Sequence, residues 1–342
     1  MNGENVVTEA IARVTRGEEL TREEARRVME RIMAGEATDA QIASLLTAIK
    51  MRGETAEEIA GFAQAMRQAA SNIRPNVSPL VDTCGTGGDG QGTFNISTAA
   101  AFIAAGAGVY VAKHGNRCVS SSCGSADVLE ALGVKIDMEP EKVKACIEEV
   151  GIGFLFAPRF HPAMRHVMRA RREMGIPTAF NILGPLTNPA GADAQVLGVG
   201  SREKAPLVAR ALAEIGVRRA MVVHGEDGMD EITLTSPTLV WEVEEGEVRE
   251  ARLDPRELGL QGAAREDLRG GDAEENARII REEVLAGRGG PRREVALLNA
   301  AAAIMVAGKA GGLKEGLEMA AVSVDSGAAL RKLQELVEYS NG

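Results

Sequence analysis

The chain has 342 residues, 45% of them hydrophobic but only 3% aromatic, which suits one large domain plus a small one with a core of Ala, Val, Leu, Ile and Met. Its formal charge of −10 argues against nucleic-acid binding by bulk electrostatics, so any anionic ligand must be held by local basic groups or metal ions. Cys84, Cys118, Cys123 and Cys146 form no C-x-x-C pair, and no apolar leader or long apolar run stands out, so disulfides, structural zinc and a membrane span are not expected and a cytoplasmic location is.

Residues 1–72 are expected to form a small helical domain. Thr21-x-x-Glu24, Thr38-x-x-Gln41 and Thr55-x-x-Glu58 each have the form of a capping box. Gly17, Gly35 and Gly53 sit where helices should stop. Val28, Met29 and Ile32, then Ile42, Leu45, Leu46 and Ile49, then Ile59, Phe62 and Met66 make apolar faces at helical spacing. Three or four short helices bury little surface alone, so this domain needs the rest of the chain or a second subunit. Ser71–Pro79 reads as a linker, with a hinge placed at 73–79.

From residue 80 to 342 strands and helices alternate. Strands are expected at Leu80–Asp82, Val109–Ala112, Ile152–Phe156, Gln195–Val199 and Ala220–Val223. Helices are expected at Ser97–Ala105, Ala126–Leu132, Glu141–Val150 and Glu203–Ile215. Such alternation predicts an α/β domain with a mostly parallel central sheet, and ligands in such sheets bind beyond the carboxyl ends of strands. Leu239–Val243 and Glu247–Ala251 suggest a hairpin, whereas Pro255–Gly271 carries no clear pattern. Helices close the chain around Glu275–Leu285, Glu294–Ala307 and Leu313–Val337.

The densest chemical signal runs from Val81 to Ser125. A short strand enters a glycine loop, Gly85–Gly92, and Ser97-Thr98 then open a helix. A second strand leads into Lys113-His114-Gly115-Asn116-Arg117 and a loop with Ser120, Ser121 and Ser125. Glycines let backbone N–H groups approach an anion, and a helix start presents unpaired donors with a favourable dipole, so the stretch reads as a phosphate cradle. Gly85, Gly87 and Gly90 also fit G-x-G-x-x-G, but the second strand ends in Lys113-His114 where a dinucleotide site wants an acid. Asp89 would repel a bare diphosphate unless a cation lies between them.

Two further places stand out. In the helix from His161-Pro162 to Gly175, Arg165, Arg169 and Arg172 make one charged stripe, while Arg171 lines up with the apolar Met164, Val167, Met168 and Met174. A guanidinium there must snorkel out, pair in a salt bridge or meet an anionic ligand. His166 is expected on the Arg-rich face, and His161 as a helix-start residue. Asp230-Glu231 follows a strand in a loop with Gly225 and Gly228; the pair could be turn residues, or hard oxygen ligands suited to Mg²⁺.

Taken together, G-T-G-G-D (Gly85–Asp89), N-I-S-T (Asn95–Thr98), K-H-G-N-R (Lys113–Arg117), G-S-A-D (Gly124–Asp127), F-N-I-L-G-P-L-T-N-P (Phe180–Pro189) and H-G-E-D-G-M-D-E (His224–Glu231) resemble, in order, the anthranilate phosphoribosyltransferase family. The resemblance covers nearly the whole chain. It implies transfer of a 5-phosphoribosyl group from phosphoribosyl diphosphate to anthranilate in tryptophan biosynthesis, by a homodimer carrying two Mg²⁺ ions. By matching position it implies that Gly85, Gly88, Asp89, Thr93, Asn95, Ile96, Ser97, Thr98, Lys113, His114, Gly115, Asn116, Arg117, Ser120, Ser121 and Ser125 hold the diphosphate substrate. Gly85, Asn116 and Arg171 would hold anthranilate, and Ser97, Asp230 and Glu231 the metal. The segment 160–190 is expected to pack with the helical domain. Cys123 departs from the commonest family pattern, one small residue for another. No acid–base residue is assigned, because an aromatic amine is already a neutral nucleophile at pH 7. A pyrimidine-nucleoside phosphorylase is the enzymatic rival, disfavoured by the intact G-T-G-G-D and K-H-G-N-R; a nucleic-acid-binding paralogue is disfavoured by the acidic charge, and neither nucleic acid nor membrane is an expected partner.

Overall fold

The computed structural model describes residues 6–117 and 123–342. Helices α1 (Val6–Val14), α2 (Arg22–Met33), α3 (Asp39–Arg52) and α4 (Ala56–Gln68) form the N-terminal domain. Thr21, Thr38 and Thr55 each close a reciprocal capping box with the residue three positions on. Glu58 goes further: fully buried, it also accepts from Leu20 N (2.9 Å) and pairs with Arg52, so one carboxylate ties three helix ends together.

Beyond the linker, a seven-stranded sheet forms in the order β3-β2-β1-β4-β5-β6-β7. Strands β1 (Leu80–Gly85), β2 (Tyr110–Gly115), β3 (Ile152–Phe156), β4 (Ala194–Gly198) and β5 (Arg219–Gly225) run parallel. The hairpin β6 (Thr238–Glu244) and β7 (Glu247–Leu253) extends one edge antiparallel, through Glu245-Gly246, both at positive φ as a two-residue turn demands. Strand order reverses where β1 meets β4, and β1 and β2 reach three residues further than their apolar runs suggest, carrying Gly85 and Lys113-His114-Gly115 out at the carboxyl edge.

Side-chain alternation divides the core into two main layers. Val196, Met221, Val223 and Val240 face one layer with α5 (Ile96–Gly106) and the C-terminal helices. Leu197, Val222, Leu239 and Trp241 face another, shared with α2–α4 and with residues 167–186. The helical domain is therefore seated on the sheet and on the 160–190 segment by continuous apolar packing.

The remaining helices are α6 (Ser125–Ala131), α7 (Pro140–Val150), α8 (Ala157–Phe160), α9 (Arg165–Met174), α10 (Phe180–Leu183), α11 (Ala205–Glu214), α12 (Ala273–Arg278), α13 (Pro291–Val306), α14 (Leu313–Asp325) and α15 (Ala328–Asn341). The single helix expected over Leu313–Val337 is broken into α14 and α15 at Gly327, whose φ of +72° ends the helical path. No helix of the described residues is long and apolar enough to cross a membrane.

Candidate active site at the sheet's carboxyl edge

The glycine loop and the acidic loop interlock. Gly87 N donates to Asp230 Oδ2 at 2.9 Å, and Ser97 N, at the start of α5, donates to Glu231 Oε1 at 3.1 Å. The protein's own carboxylates thus engage both of these backbone donors. The fit admits no side chain at Gly198, where a Cβ would lie 1.5 Å from the Asp230 carbonyl oxygen, and one on Gly85, 2.7 Å from Asp230 Oδ2, would push that carboxylate aside. Asp89 closes the loop on itself, accepting from Gln91 N at 3.1 Å, and lies against Asp230, whose N–H points to Asp89 Oδ2 at 3.4 Å.

Successive residues of β2 face opposite sides of the sheet. Lys113 turns toward α5, where its buried ammonium donates to the Thr83 carbonyl and to Ser97 Oγ at 3.3 Å. Burial pulls its pKa below the ordinary lysine value, while Asp82 and Glu231 oppose the shift. Burial also raises the Asp230 carboxyl to about 7, with Asp89 adding repulsion, and pushes Glu231 well above the usual carboxylate range, with Asp230 adding to it. Asp89, Asp230 and Glu231 crowd together, and only Glu231 feels Lys113, so the group is a hard-oxygen donor set short of positive charge. Such oxygens, with Ser97 Oγ nearby, are donors of the type that a hard divalent cation takes.

His114 faces the other way. Its ring lies 5.1 Å from that of His161, and the Nε2 atoms of both are buried without a hydrogen-bond partner. Burial lowers His114 to about 3 and His161 to about 4, so both rings are neutral at pH 7. Fully buried Asp82 braces this side by accepting from His114 N (3.2 Å) and from Asn188 Nδ2 (2.8 Å). Arg171 stands on α9: half-buried, its guanidinium lies 5.2 Å above the Phe180 ring. Its pKa is lowered by burial alone. The segment holding Phe180 continues to Gly184 and Thr187, whose backbones bond to His114 and His161.

The expected site residues thus divide between two neighbouring groups. Gly85, Gly88, Asp89, Thr93, Asn95, Ile96, Ser97, Thr98 and Lys113 belong to the cradle around β1 and α5. His114 and Gly115 end β2 and Asn116 follows it; the Asn116 carbonyl accepts from Ala126 N (3.2 Å) and Ser125 Oγ (3.4 Å) at the start of α6. Arg117 is engaged elsewhere, paired with Asp127 and Glu130 and 5.7 Å over the Phe156 ring. Ser120 and Ser121 lie outside the described residues. One expectation on α9 needs correction. Met168 is 44% exposed rather than part of the apolar face, because the helix turns Val167 and Ala170 inward. His166 packs against Gly35 of the helical domain, where an added Cβ would meet its ring at 2.7 Å, three residues before Arg169, which reaches Asp39 of the same domain. His161 stands at the start of the short helix Pro162–Met164, as expected, and is also a buried partner of His114, a role no local pattern announces.

The chain matches two family descriptions, the helical bundle domain of a glycosyl transferase family at residues 8–70 and its a/b domain at 77–330. It is 56% identical over 335 residues to the anthranilate phosphoribosyltransferase of Pelotomaculum thermopropionicum (98% of this chain, 97% of the relative) and 54% identical over 336 residues to that of Acetivibrio thermocellus (98% and 97%). The chain belongs to the anthranilate phosphoribosyltransferase family. Among solved members, the Thermus thermophilus enzyme superposes with a TM-score of 0.92 at 49% identity, covering 97% of this chain and 99% of that one. The Saccharomyces cerevisiae enzyme in complex with PRPP and Mg gives 0.90 at 30% identity (98% of each chain), and that enzyme in complex with 4-fluoroanthranilate gives 0.87 at 29% (99% and 98%).

The buried histidines predict how this family member responds to acid. An unfolded histidine protonates near pH 6.5, whereas folded His161 resists to about pH 4, so the unfolded state binds more protons in that window. The stabilisation is complete above pH 6.5 and is lost as pH falls, by on the order of 3 kcal/mol for a shift of this size. His114 acts in the same sense. Asp82, raised to about 6 by burial, acts oppositely between the ordinary carboxylate range and pH 6 and offsets part of the loss. The raised Asp230 and Glu231 carboxyls act in the same sense as Asp82, so the histidine contribution is read as a difference between two proteins. In denaturant unfolding between pH 4.5 and 7.5, the stability of the native protein relative to His161→Gln should rise with pH. A difference that stays constant across this range would contradict it.

Proposed function

We propose that the protein transfers the 5-phosphoribosyl group from 5-phosphoribosyl 1-diphosphate to the amine of anthranilate, releasing diphosphate, in tryptophan biosynthesis. The observation that carries this reading is the interlock of Gly87 and Ser97 donors, Lys113, and the Asp230-Glu231 carboxylates at the strand-order reversal. Backbone donors with a buried ammonium suit a diphosphate, and the adjacent carboxylates suit Mg²⁺ held by Ser97, Asp230 and Glu231. Bound there, two Mg²⁺ ions would supply charge neutralisation for the departing diphosphate. On the acceptor side, Arg171 holds the anthranilate carboxylate with Asn116 also binding anthranilate, and the neutral His114 and His161 offer unpartnered nitrogens on the same side of the sheet. The amine needs no activating base, so orientation and exclusion of water are the protein's main tasks. Incubating the protein with phosphoribosyl diphosphate, Mg²⁺ and anthranilate should consume anthranilate fluorescence and release diphosphate. Activity only with a pyrimidine nucleoside plus phosphate would favour the phosphorylase reading instead.

The working form is a cytoplasmic homodimer joined through the helical domain. Of the four large hydrophobic side chains most exposed among the described residues, Met51, Met168 and Ile176 lie on or just after α3 and α9, which pack together. Light scattering at micromolar concentration should give a dimer mass, and Met51→Lys should weaken it. A monomeric native protein would remove this idea.

Residues 73–79 act as a hinge that brings the Arg171 side toward the cradle. The two groups of site residues come from opposite sides of the sheet, and Arg171 stands on α9, which packs against α2 and α3 of the helical domain. Crystals with and without both substrates should differ in the angle between the helical and α/β domains; an unchanged angle would show the hinge to be static.

A further inference from the structure

A third segment, 268–276, grips the cradle from the far end of the chain. Phe94 N donates to Leu268 O at 3.2 Å, Gly270 N donates to Gly92 O at 2.9 Å, and Thr93 pairs with Arg269 as an antiparallel bridge. The approach is so close that a Cβ on Gly270 would lie 2.7 Å from Phe94 N and 2.5 Å from Asn276 Oδ1. At the end of this strap stands Asn276, on α12 and 1% exposed.

The Asn276 amide belongs to a relay whose polarity is set at both ends. Gly271 N–H, which can only donate, bonds to Asn276 Oδ1 at 2.8 Å. Asn276 must then turn its Nδ2 to Asn95, and does so, at 3.0 Å from Asn95 Oδ1. Asn95 in turn points its Nδ2 at the Cys123 carbonyl, which can only accept, at 3.1 Å. Asn95 precedes α5 at the end of the glycine loop, and Cys123 leads into α6. The relay therefore ties both loops of the cradle to a residue from the C-terminal third.

We propose that Asn276 is a positioning residue of the phosphoribosyl diphosphate site, which sets the orientation of the Asn95 amide and through it the spacing between the glycine loop and the loop entering α6. The proposal rests on the donor-site reading given above. It differs from a packing role in a testable way. Asn276→Asp keeps the shape and the acceptor for Gly271 N but presents an oxygen to Asn95 Oδ1. Asn95 must then turn its NH₂ toward the new carboxylate and its oxygen toward the Cys123 carbonyl, breaking the tie. Asn276→Ala loses more packing but leaves Asn95 free to keep its bond to Cys123.

The test is steady-state kinetics and calorimetric binding of phosphoribosyl diphosphate with Mg²⁺ for both variants. Asn276→Asp should raise the KM and Kd for phosphoribosyl diphosphate on the order of tenfold or more, the scale of one buried hydrogen-bond mismatch, with the anthranilate KM changed less than about twofold. Asn276→Ala should give a smaller rise in the same direction. A larger effect of Asn276→Ala, an equal rise in both substrates' KM, or an unchanged Kd in folded variants would overturn the inference. Should Asn276→Asp not fold, a several-fold rise confined to phosphoribosyl diphosphate in Asn276→Ala supports it, and no rise overturns it. Failure of the native chain to bind phosphoribosyl diphosphate would instead overturn the donor-site reading, and this inference with it.

Discussion

Arg171→Ala should raise the KM for anthranilate roughly 30- to 1000-fold, equivalent to about 2–4 kcal/mol for truncating one side of a desolvated charge pair. The guanidinium is half-buried over Phe180, and burial, with no acidic neighbour, is what lowers its pKa. It is thus a partly desolvated cation that an incoming carboxylate can satisfy through two parallel hydrogen bonds. The contact lies away from the anomeric carbon and is similar in ground and transition states, so the loss should fall mainly on KM and leave the KM for phosphoribosyl diphosphate nearly unchanged. Arg171→Lys should recover only part, since an ammonium cannot reproduce the planar fork. Arg165, Arg169 and Arg172 are exposed, and Arg169 pairs only at the surface with Asp39 (3.4 Å) and Glu173 (3.0 Å). Replacing any of these with Ala should cost about 0–1 kcal/mol at most. Equal damage from all four would point to a weakened helix, and a rise confined to the phosphoribosyl diphosphate KM would place Arg171 on the wrong substrate.

Removing one of the two strand-end carboxylates should be as costly. Glu231→Ala and Asp230→Ala are expected to lower kcat/KM for phosphoribosyl diphosphate by about 10²–10³-fold at moderate Mg²⁺, the scale of losing several kcal/mol of metal-assisted charge stabilisation. Excess Mg²⁺ should restore part of the rate. The two variants should also differ when no ligand is bound. Glu231 accepts from Ser97 N and Asp230 from Gly87 N, so each truncation frees a different backbone donor. Because both carboxylates are crowded and buried, either truncation should leave the ligand-free protein at least as stable as the parent in thermal unfolding at pH 7.5. Unchanged Mg²⁺ dependence of the rate in both variants would show that these carboxylates are turn residues and nothing more.

Much of this molecule was legible before any coordinates. Capping boxes, stop glycines and the 3.6-residue period act within one or two turns, so α2, α3 and α4 begin and end where Thr21, Thr38, Thr55 and Gly53 predict. The parallel strands, the Glu245-Gly246 hairpin and the motif-bearing strand ends follow from equally local patterns. The position of Arg171 among apolar neighbours likewise set it apart from three exposed arginines through helical spacing alone.

Other features depend on residues far apart in the chain meeting through the fold. Val109–Ala112 reads as a complete apolar strand, but β2 continues to Gly115 because Lys113 and His114 find buried partners in Ser97, Thr83, Asp82 and His161. The polar stretch up to Gly271 has no periodicity, since its order comes from short 3-10 turns and from backbone bonds to Leu234, Gly92 and Phe94. Composition and local pattern determined the helical domain, the α/β plan and the glycine-rich cradle, because caps, turns and periodicity are settled between near neighbours in sequence. The strand order, the His114–His161 pairing, the occupied donors of Gly87 and Ser97 and the Asn276 relay were decided only in the tertiary structure, because a buried polar group takes its partner from whatever the packing brings within hydrogen-bond reach.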